Sequence, residues 1–404
     1  MRIEEEARVW RLSRRAREVQ ASPIRKLTPY AEDARKRGIH VYHLNIGQPD
    51  IETPPEFWDA VKNYSQKVLA YGNSQGLGSY VKALSGYYHR YGLDIAPENI
   101  MVTTGGSEAI ILAFTLICEP GEKVIVFEPF YTNYNGFASM ADIELVPIET
   151  RAEDGFHLPS RETIEAAIDD DVRGIIVCNP NNPTGTLFSY QEMEMLADIA
   201  REHGLFVLSD EVYREFVYEG THTSIFDIPD VDEFAIMLDS ISKRFSACGA
   251  RVGCLVTKNK KVHEAAIKFG QARLCPPTLE QVGAEAALKL GQEYFDKIIG
   301  EYKRRRDVVF DGLMAIEGCV CMKASGAFYA MAKLPISDAE EFAKFLLAEF
   351  SHDNKTVMVA PGPGFYASPD KGIDECRIAY VLNTESLKDA MKILKLGVEA
   401  FNKR

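Results

Sequence analysis

The stretch that decides the fold runs from Gly174 to Ser209 and reads GIIVCNPNNPTGTLFSYQEMEMLADIAREHGLFVLS. Its opening GIIVC is an apolar run of the kind buried on both faces of a sheet, and the Asn/Pro/Gly cluster at 179–185 ends that run in a rigid turn. Residues 190–203, YQEMEMLADIAREH, carry apolar side chains at helical spacing, and Leu205 to Ser209 is apolar again. Strand, helix and strand in this order are the repeating unit of a parallel sheet covered by helices.

Working outward, the same alternation extends from about residue 56 to 315. Candidate strands are Asn99 to Thr103, Lys123 to Phe127, Glu144 to Ile148, Gly174 to Cys178, Leu205 to Ser209, Phe234 to Asp239 and Arg251 to Thr257. The reading is an α/β fold with a seven-stranded, mostly parallel sheet and helices on both faces. Beyond residue 316 the pattern changes to fewer strands (Ala327 to Ala332, Thr356 to Ala360, Glu375 to Leu382) and two helices, Asp338 to Phe350 and Glu385 to Phe401. That is a smaller α+β unit. The first 50 residues complete no core of their own, so the expected division is 56–315 for the large domain and 1–55 with 316–404 for a discontinuous small one.

Composition bounds the function. The chain has 404 residues, 46% of them hydrophobic, enough for a large core, and a formal charge of -13 that disfavours a phosphate backbone as partner. The basic run Lys303 to Arg306 lies in a helical stretch beside Glu301 and Asp307 and reads as a solvated face. Eight cysteines are scattered without C-x-x-C or zinc-ligand spacing, so no metal is expected and reduced thiols fit a cytoplasmic protein. Residues Met1 to Gln20 are crowded with charge and lack a signal-like apolar core, and the longest apolar run, Ala109 to Cys118, is half a membrane span.

Four segments carry chemistry. Met101-Val-Thr-Thr-Gly-Gly-Ser-Glu passes from a strand into a helix and leaves free N–H groups at Gly105, Gly106 and Ser107, where a phosphate would sit, although Ser107 could be an ordinary helix cap. Neither G-x-G-x-x-G nor G-x-x-x-x-G-K-[ST] occurs, so no nucleotide is the evident owner of that phosphate. The turn after Cys178 places Asn182 at the carboxyl edge of the sheet, where open α/β sheets bind ligands. Asp210 ends an apolar strand, with Tyr213 three residues later; a buried carboxylate there needs a cation or good hydrogen bonds, and the plain alternative is a helix-capping Asp. In Asp239-Ser-Ile-Ser-Lys-Arg, Lys243 follows a strand with Ser240 and Ser242 before it and Arg251 eight residues on. Most such lysines are solvated, but burial and neighbouring cations would deprotonate this amine for Schiff-base chemistry.

In this order the four segments resemble the signature of the fold-type I, class I/II pyridoxal-phosphate-dependent aminotransferases, of the aspartate aminotransferase kind. Leu44-Asn-Ile-Gly-Gln-Pro-Asp, Tyr71-Gly-Asn-Ser-Gln-Gly and Glu375-Cys-Arg-Ile-Ala-Tyr resemble three further motifs of that family, so the likeness spans almost the whole chain. The resemblance implies pyridoxal 5'-phosphate as cofactor, held covalently by Lys243, with Asp210 against its ring nitrogen, Tyr213 and Asn182 at its phenolic oxygen, and Tyr131 stacked on its ring. For the phosphate it implies Gly106, Ser107, Ser240 and Arg251, with Tyr71 from the partner subunit of a homodimer. For the substrate it implies Arg377 on the α-carboxylate, with Gly47 nearby.

The reaction so implied is amino-group transfer from an L-amino acid, aspartate favoured, to a 2-oxo acid such as 2-oxoglutarate. Alanine or another donor, and C-S lyase or cyclopropane-carboxylate synthase chemistry, share these motifs. Arg273, in the loosely matching segment Gln271-Ala-Arg-Leu-Cys-Pro-Pro, is the candidate for a side-chain carboxylate. Two further readings have less behind them. Gly72-Asn-Ser-Gln-Gly is a literal G-x-S-x-G that would make Ser74 a hydrolase nucleophile, and a cofactor-sensing regulator would need a DNA-binding module for which the chain has no room before Gly47.

Overall fold

The computed structural model of the chain describes residues 10–20, 23 and 25–404. At its centre is a seven-stranded sheet formed by Ile100–Thr103, Lys123–Glu128, Glu144–Glu149, Val172–Cys178, Phe206–Asp210, Ala235–Ser240 and Gly253–Val256, each within two residues of its expected bounds. The spatial order is 100–103, 253–256, 235–240, 206–210, 172–178, 123–128, 144–149. The last five run parallel, whereas Gly253–Val256 is antiparallel to both neighbours.

The strands read as unbroken apolar runs because both faces are covered. Val124, Val126, Ile176, Leu208 and Ile236 face one core together with the helix Gly105–Ile117, while Ile125, Phe127, Ile175, Val177 and Val207 face another, against the helix Tyr190–His203. Alternate side chains of a strand point to opposite faces, so each strand feeds both cores, and each such side chain contributes about 1.5–3 kcal/mol of burial. The apolar run from Ala109 lies within the first of these helices, and among the described residues no helix is long and apolar enough to cross a membrane.

A further core gathers Leu27, Ala31, Ala34, Val41 and Leu44 from the start of the chain with Phe342, Leu346, Val357, Leu387 and Leu394 from its end. We propose the division 1–55 with 316–404 against 56–315 on this packing. Here the run Thr356 to Ala360 behaves differently from expectation, because it splits at Val359 between two partners. Lys355–Met358 pairs in parallel with His40–His43, and Ala360–Pro361 joins the edge of a four-stranded sheet beside Glu375–Ala379, Tyr329–Lys333 and Val320–Cys321. An edge position suits Pro361, which has no N–H to donate.

The helix Gln292–Met314 links the cores, burying Phe295 in one and Tyr302, Val309 and Leu313 in the other. Its basic run is therefore a solvated face only in part: Lys303 and Arg304 are exposed, whereas Arg305 and Arg306 are 4% and 2% exposed. Arg305 donates to Asp50 at 2.6 Å and to the Val381 carbonyl at 2.8 Å, and Arg306 donates to Glu219 and to the Ala324 carbonyl, both at 2.9 Å. Buried guanidinium groups are tolerable because they find carboxylates and carbonyls both nearby, at Glu301 and Asp307, and on these segments that the sequence places far away.

Candidate active site

Three parallel strands end at one cavity of about 590 Å³, contributing Cys178, Asp210 and Ser240 as their last residues. The loops beyond them add Asn182, Tyr213, Ser242, Lys243 and Arg251, the helix start adds Gly106 and Ser107, and Tyr131 follows the strand Lys123–Glu128. Gly47, Tyr329 and Arg377 close the cavity from the smaller unit's side. Thus residues as far apart in the chain as Arg25 and Arg377 meet at the carboxyl edge of the sheet, where backbone ends and loops are free to face a ligand.

The Lys243 ammonium donates to the Gly47 carbonyl at 2.9 Å, and burial pushes its pKa below the ordinary lysine value, which enlarges the neutral share of the amine. Gly47 is demanded by packing, since a Cβ there would fall 1.7 Å from the Tyr329 hydroxyl. Asp210 is 3% exposed and has no cationic partner; burial pushes its carboxyl up to about 6 although Tyr134 donates to it at 2.9 Å. Burial likewise pushes the Tyr131 phenol up to about 12, where it accepts from Asn133 at 2.8 Å. A polar chain crosses the site: Arg377 donates to Asn182 Oδ1 at 3.0 Å, Asn182 Nδ2 lies 3.4 Å from the Tyr213 hydroxyl, and that hydroxyl is 2.9 Å from Tyr329 Oη. Arg377 also donates to the Asn45 carbonyl at 2.6 Å, but its Nε is buried without a partner, and burial lowers its pKa.

At the other end, Arg251 donates to the Cys248 carbonyl at 3.0 Å and pairs with no carboxylate among the described residues. Its guanidinium lies directly over Gly105: with φ +74°, a Cβ on Gly105 would come within 2.2 Å of Arg251 Nη2. Ser240 Oγ donates to the Val252 carbonyl at 2.9 Å and is 2.7 Å from Ser242 Oγ. Free amide groups at the helix start, two hydroxyls and an unpaired guanidinium form a cradle for a phosphate.

These observations test the fit of pyridoxal 5'-phosphate on the chain's own chemistry. Lys243, Arg251 and Arg377 line the cavity without an anionic partner, while Asp210, the only carboxylate lining it among the described residues, has no cation. A ligand with an aldehyde, a phosphate and a basic ring nitrogen answers the amine, the cradle and Asp210 in turn, and leaves Arg377 for a substrate carboxylate. The residues fit.

Of the expected site residues, Gly105 stands beneath Arg251 rather than on the cavity wall, and Tyr71 is 80% exposed and away from the cavity of its own chain. Arg273 is a correction. Its Nε lies 3.1 Å from Glu108, its Nη2 donates to the carbonyls of Ser74 and Val102, and it does not line the cavity, because the segment after Gly270 packs on the strand Ile100–Thr103 instead. Ser74 lies in a turn that no strand precedes, so the nucleophile-elbow reading fails. The sequence reading passed over Tyr134, Tyr329, Arg25 and Gln48. Tyr134 sits three residues after Tyr131, a helical spacing that could have revealed it, and Gln48 follows Gly47 within a motif already singled out; Arg25 and Tyr329 come from segments with no local signal of a site.

Comparison with known proteins agrees with this geometry. The family model described as aminotransferase class I and II matches residues 39–394. The aspartate/prephenate aminotransferase of Thermus thermophilus is 30% identical over 391 residues, covering 94% of this chain and 97% of its own. Among solved structures, the alanine aminotransferase from Pyrococcus furiosus is similar with TM-score 0.89 and 32% identity, covering 96% of this chain and 100% of its own. The Thermus thermophilus aspartate aminotransferase with maleate gives TM-score 0.86 and 29% identity over the same shares.

Proposed function

The chain belongs to the class I and II aminotransferases, enzymes that use pyridoxal 5'-phosphate, and on that premise we propose that it moves an amino group from L-aspartate to a 2-oxo acid such as 2-oxoglutarate. The single observation behind this reading is the surplus of cations in the cavity that have no carboxylate partner among the described residues: Lys243, Arg251 and Arg377, with Arg25 as a fourth. When bound, the cofactor supplies an electron sink for the bond broken at the substrate α-carbon.

The chain's own residues supply the rest. Lys243, whose pKa burial lowers from the ordinary lysine value, would be the attachment point and later the group that carries a proton to and from the α-carbon. Opposite a cationic ring nitrogen, Asp210 would return to its ionised form and would keep that nitrogen protonated. With the cofactor bound, Asn182 and Tyr213 would offer hydrogen bonds to its phenolic oxygen, and Tyr131 would cover its ring. Gly106, Ser107, Ser240, Ser242 and Arg251 hold the phosphate, with Gly105 allowing Arg251 to lie close. Arg377 grips the substrate α-carboxylate beside Gly47 and Asn182, through the Nε that has no partner among the described residues.

Aspartate over alanine is favoured by charge matching. With Arg251 on the phosphate and Arg377 on the α-carboxylate, Arg25 remains for a second carboxylate, the role that Arg273 does not reach. The likeness to a Pyrococcus alanine aminotransferase supports the competing donor, alanine. We further propose a homodimer in which the exposed Tyr71 completes the phosphate site of the partner, and a cytoplasmic location, in keeping with eight free cysteines. Mixing Lys243→Ala with Tyr71→Phe protomers should restore activity if the site is shared. The deciding experiment is borohydride reduction of the loaded enzyme followed by peptide mapping. The pyridoxyl mass is expected on Lys243; its appearance on another lysine would remove every role above. Stoichiometric transfer of the amino group, with no free ammonia, separates transfer from lyase chemistry.

A further inference from the structure

Four residues at the cavity each have a charged chain neighbour that points the opposite way: Asp210 and Glu211, Tyr213 and Arg214, Ser240 and Asp239, Lys243 and Arg244. These neighbours are at most 4% exposed, and none lines the cavity. Arg244 Nη2 donates to both oxygens of Asp239, at 2.6 Å to Oδ2, its Nε lies 3.2 Å from Glu215 Oε1, and its guanidinium stands 4.5 Å from the centre of the Tyr87 ring. The Tyr87 hydroxyl donates to Glu215, and the Tyr88 hydroxyl donates to Asp239 at 2.7 Å. Both tyrosines are buried on the helix Gly78–Arg90, so a single ionic cluster ties that helix, the strand Ala235–Ser240 and the loop after Asp210 to the residue next to Lys243.

We propose that Asp239, Arg244 and Glu215 form a positioning device for Lys243, holding its amine on the cavity side. The lysine sits in a helix of four residues, Ile241–Arg244, too short to hold its own orientation. Successive side chains leave a helix about 100° apart, so fixing the direction of Arg244 fixes that of Lys243. Turning this segment would pull the guanidinium from two carboxylates and leave charges buried and unpaired, which is strongly unfavourable. The orientation that keeps Arg244 against Asp239 and Glu215 is the one in which Lys243 Nζ reaches the Gly47 carbonyl at 2.9 Å. Arg244 thus acts through Lys243 and touches neither cofactor nor substrate.

The inference rests on Lys243 as the attachment residue, which borohydride mapping of each variant reports separately. Arg244→Met and Arg244→Lys are compared with wild type as loaded enzymes, by steady-state kinetics per bound cofactor and by the visible circular dichroism of the cofactor. Arg244→Met is expected to lower kcat at least tenfold with the donor KM within about threefold, and to weaken the dichroic band; Arg244→Lys, which keeps the charge, should recover part of both. If the Met variant does not fold, Tyr87→Phe, which removes one donor to Glu215 and keeps the ring, takes its place with an expected twofold to fivefold loss of kcat. A lower melting temperature with kcat and dichroism unchanged would make the cluster structural only and overturn the proposal.

Discussion

Replacing Asp210 with Asn separates what the fold gives up for this carboxylate from what the chemistry gains. In the cofactor-free chain Asp210 is 3% exposed, accepts one good hydrogen bond, from Tyr134 at 2.9 Å, and is held at about 6 by burial, against an ordinary 3.8. That gap is worth about 3 kcal/mol, at ~1.36 kcal/mol per tenfold. The folded chain holds this proton more tightly than the unfolded one. Stability therefore falls as pH rises from about 4 to about 6, and the deficit is complete above that window. Asn keeps the shape without the charge, and the Tyr134 hydroxyl can accept from its amide. Cofactor-free Asp210→Asn is thus expected to exceed wild type by up to about 3 kcal/mol at pH 7.5 and to match it near pH 4. Urea unfolding of both proteins at three pH values between these limits measures the difference. Loaded with cofactor the ranking reverses, with kcat falling by about two orders of magnitude, the scale seen when one well-placed electrostatic group is lost. A cofactor-free variant no more stable than wild type at pH 7.5, or a difference independent of pH, would refute the reasoning.

Three other outcomes follow from the same geometry. Arg377→Leu should lower kcat/KM for every donor by about 30-fold to several thousand-fold, the cost of about 2–5 kcal/mol for leaving a buried carboxylate unpaired; equal catalysis in steady-state assays would remove Arg377 from the site. Gly105→Ala places a Cβ within 2.2 Å of Arg251 at φ +74°, so cofactor dissociation measured by equilibrium dialysis should rise roughly tenfold, a figure set by about 1–2 kcal/mol of left-handed strain, and an unchanged constant would count against the phosphate cradle. Arg25→Gln should cost aspartate about tenfold in kcat/KM, the worth of one charge-assisted hydrogen bond, and alanine less than twofold; an equal loss for both donors would return the choice of donor to the alanine reading.

Local chemistry was enough to read the large sheet. Its inner strands are buried on both faces and announce themselves as apolar runs, and two of them end in residues that the chemistry needs: Asp210 and Ser240 close their strands, and Lys243 follows three residues after Ser240. Ordered motifs then supplied the cofactor, because amine, carboxylate and glycine-rich turn recur at fixed places along the chain. Other facts had no local signature. Val359 divides one apolar run between two sheets, which depends on partners at His40–His43 and Glu375–Ala379. Arg305 and Arg306 look as solvated as their neighbours Lys303 and Arg304 until Asp50, Glu219 and two carbonyls arrive from elsewhere in the chain. Arg273 and Arg25 are alike as sequence, and only packing sends the first to Glu108 and the second to the cavity. The sequence by itself determined the strands, the order of the motifs and the chemistry of the cofactor, since apolar runs and reactive residue types are properties of short segments. The tertiary structure alone decided which charges are paired and which are left free for a ligand, because pairing depends on distances between residues that the chain keeps far apart.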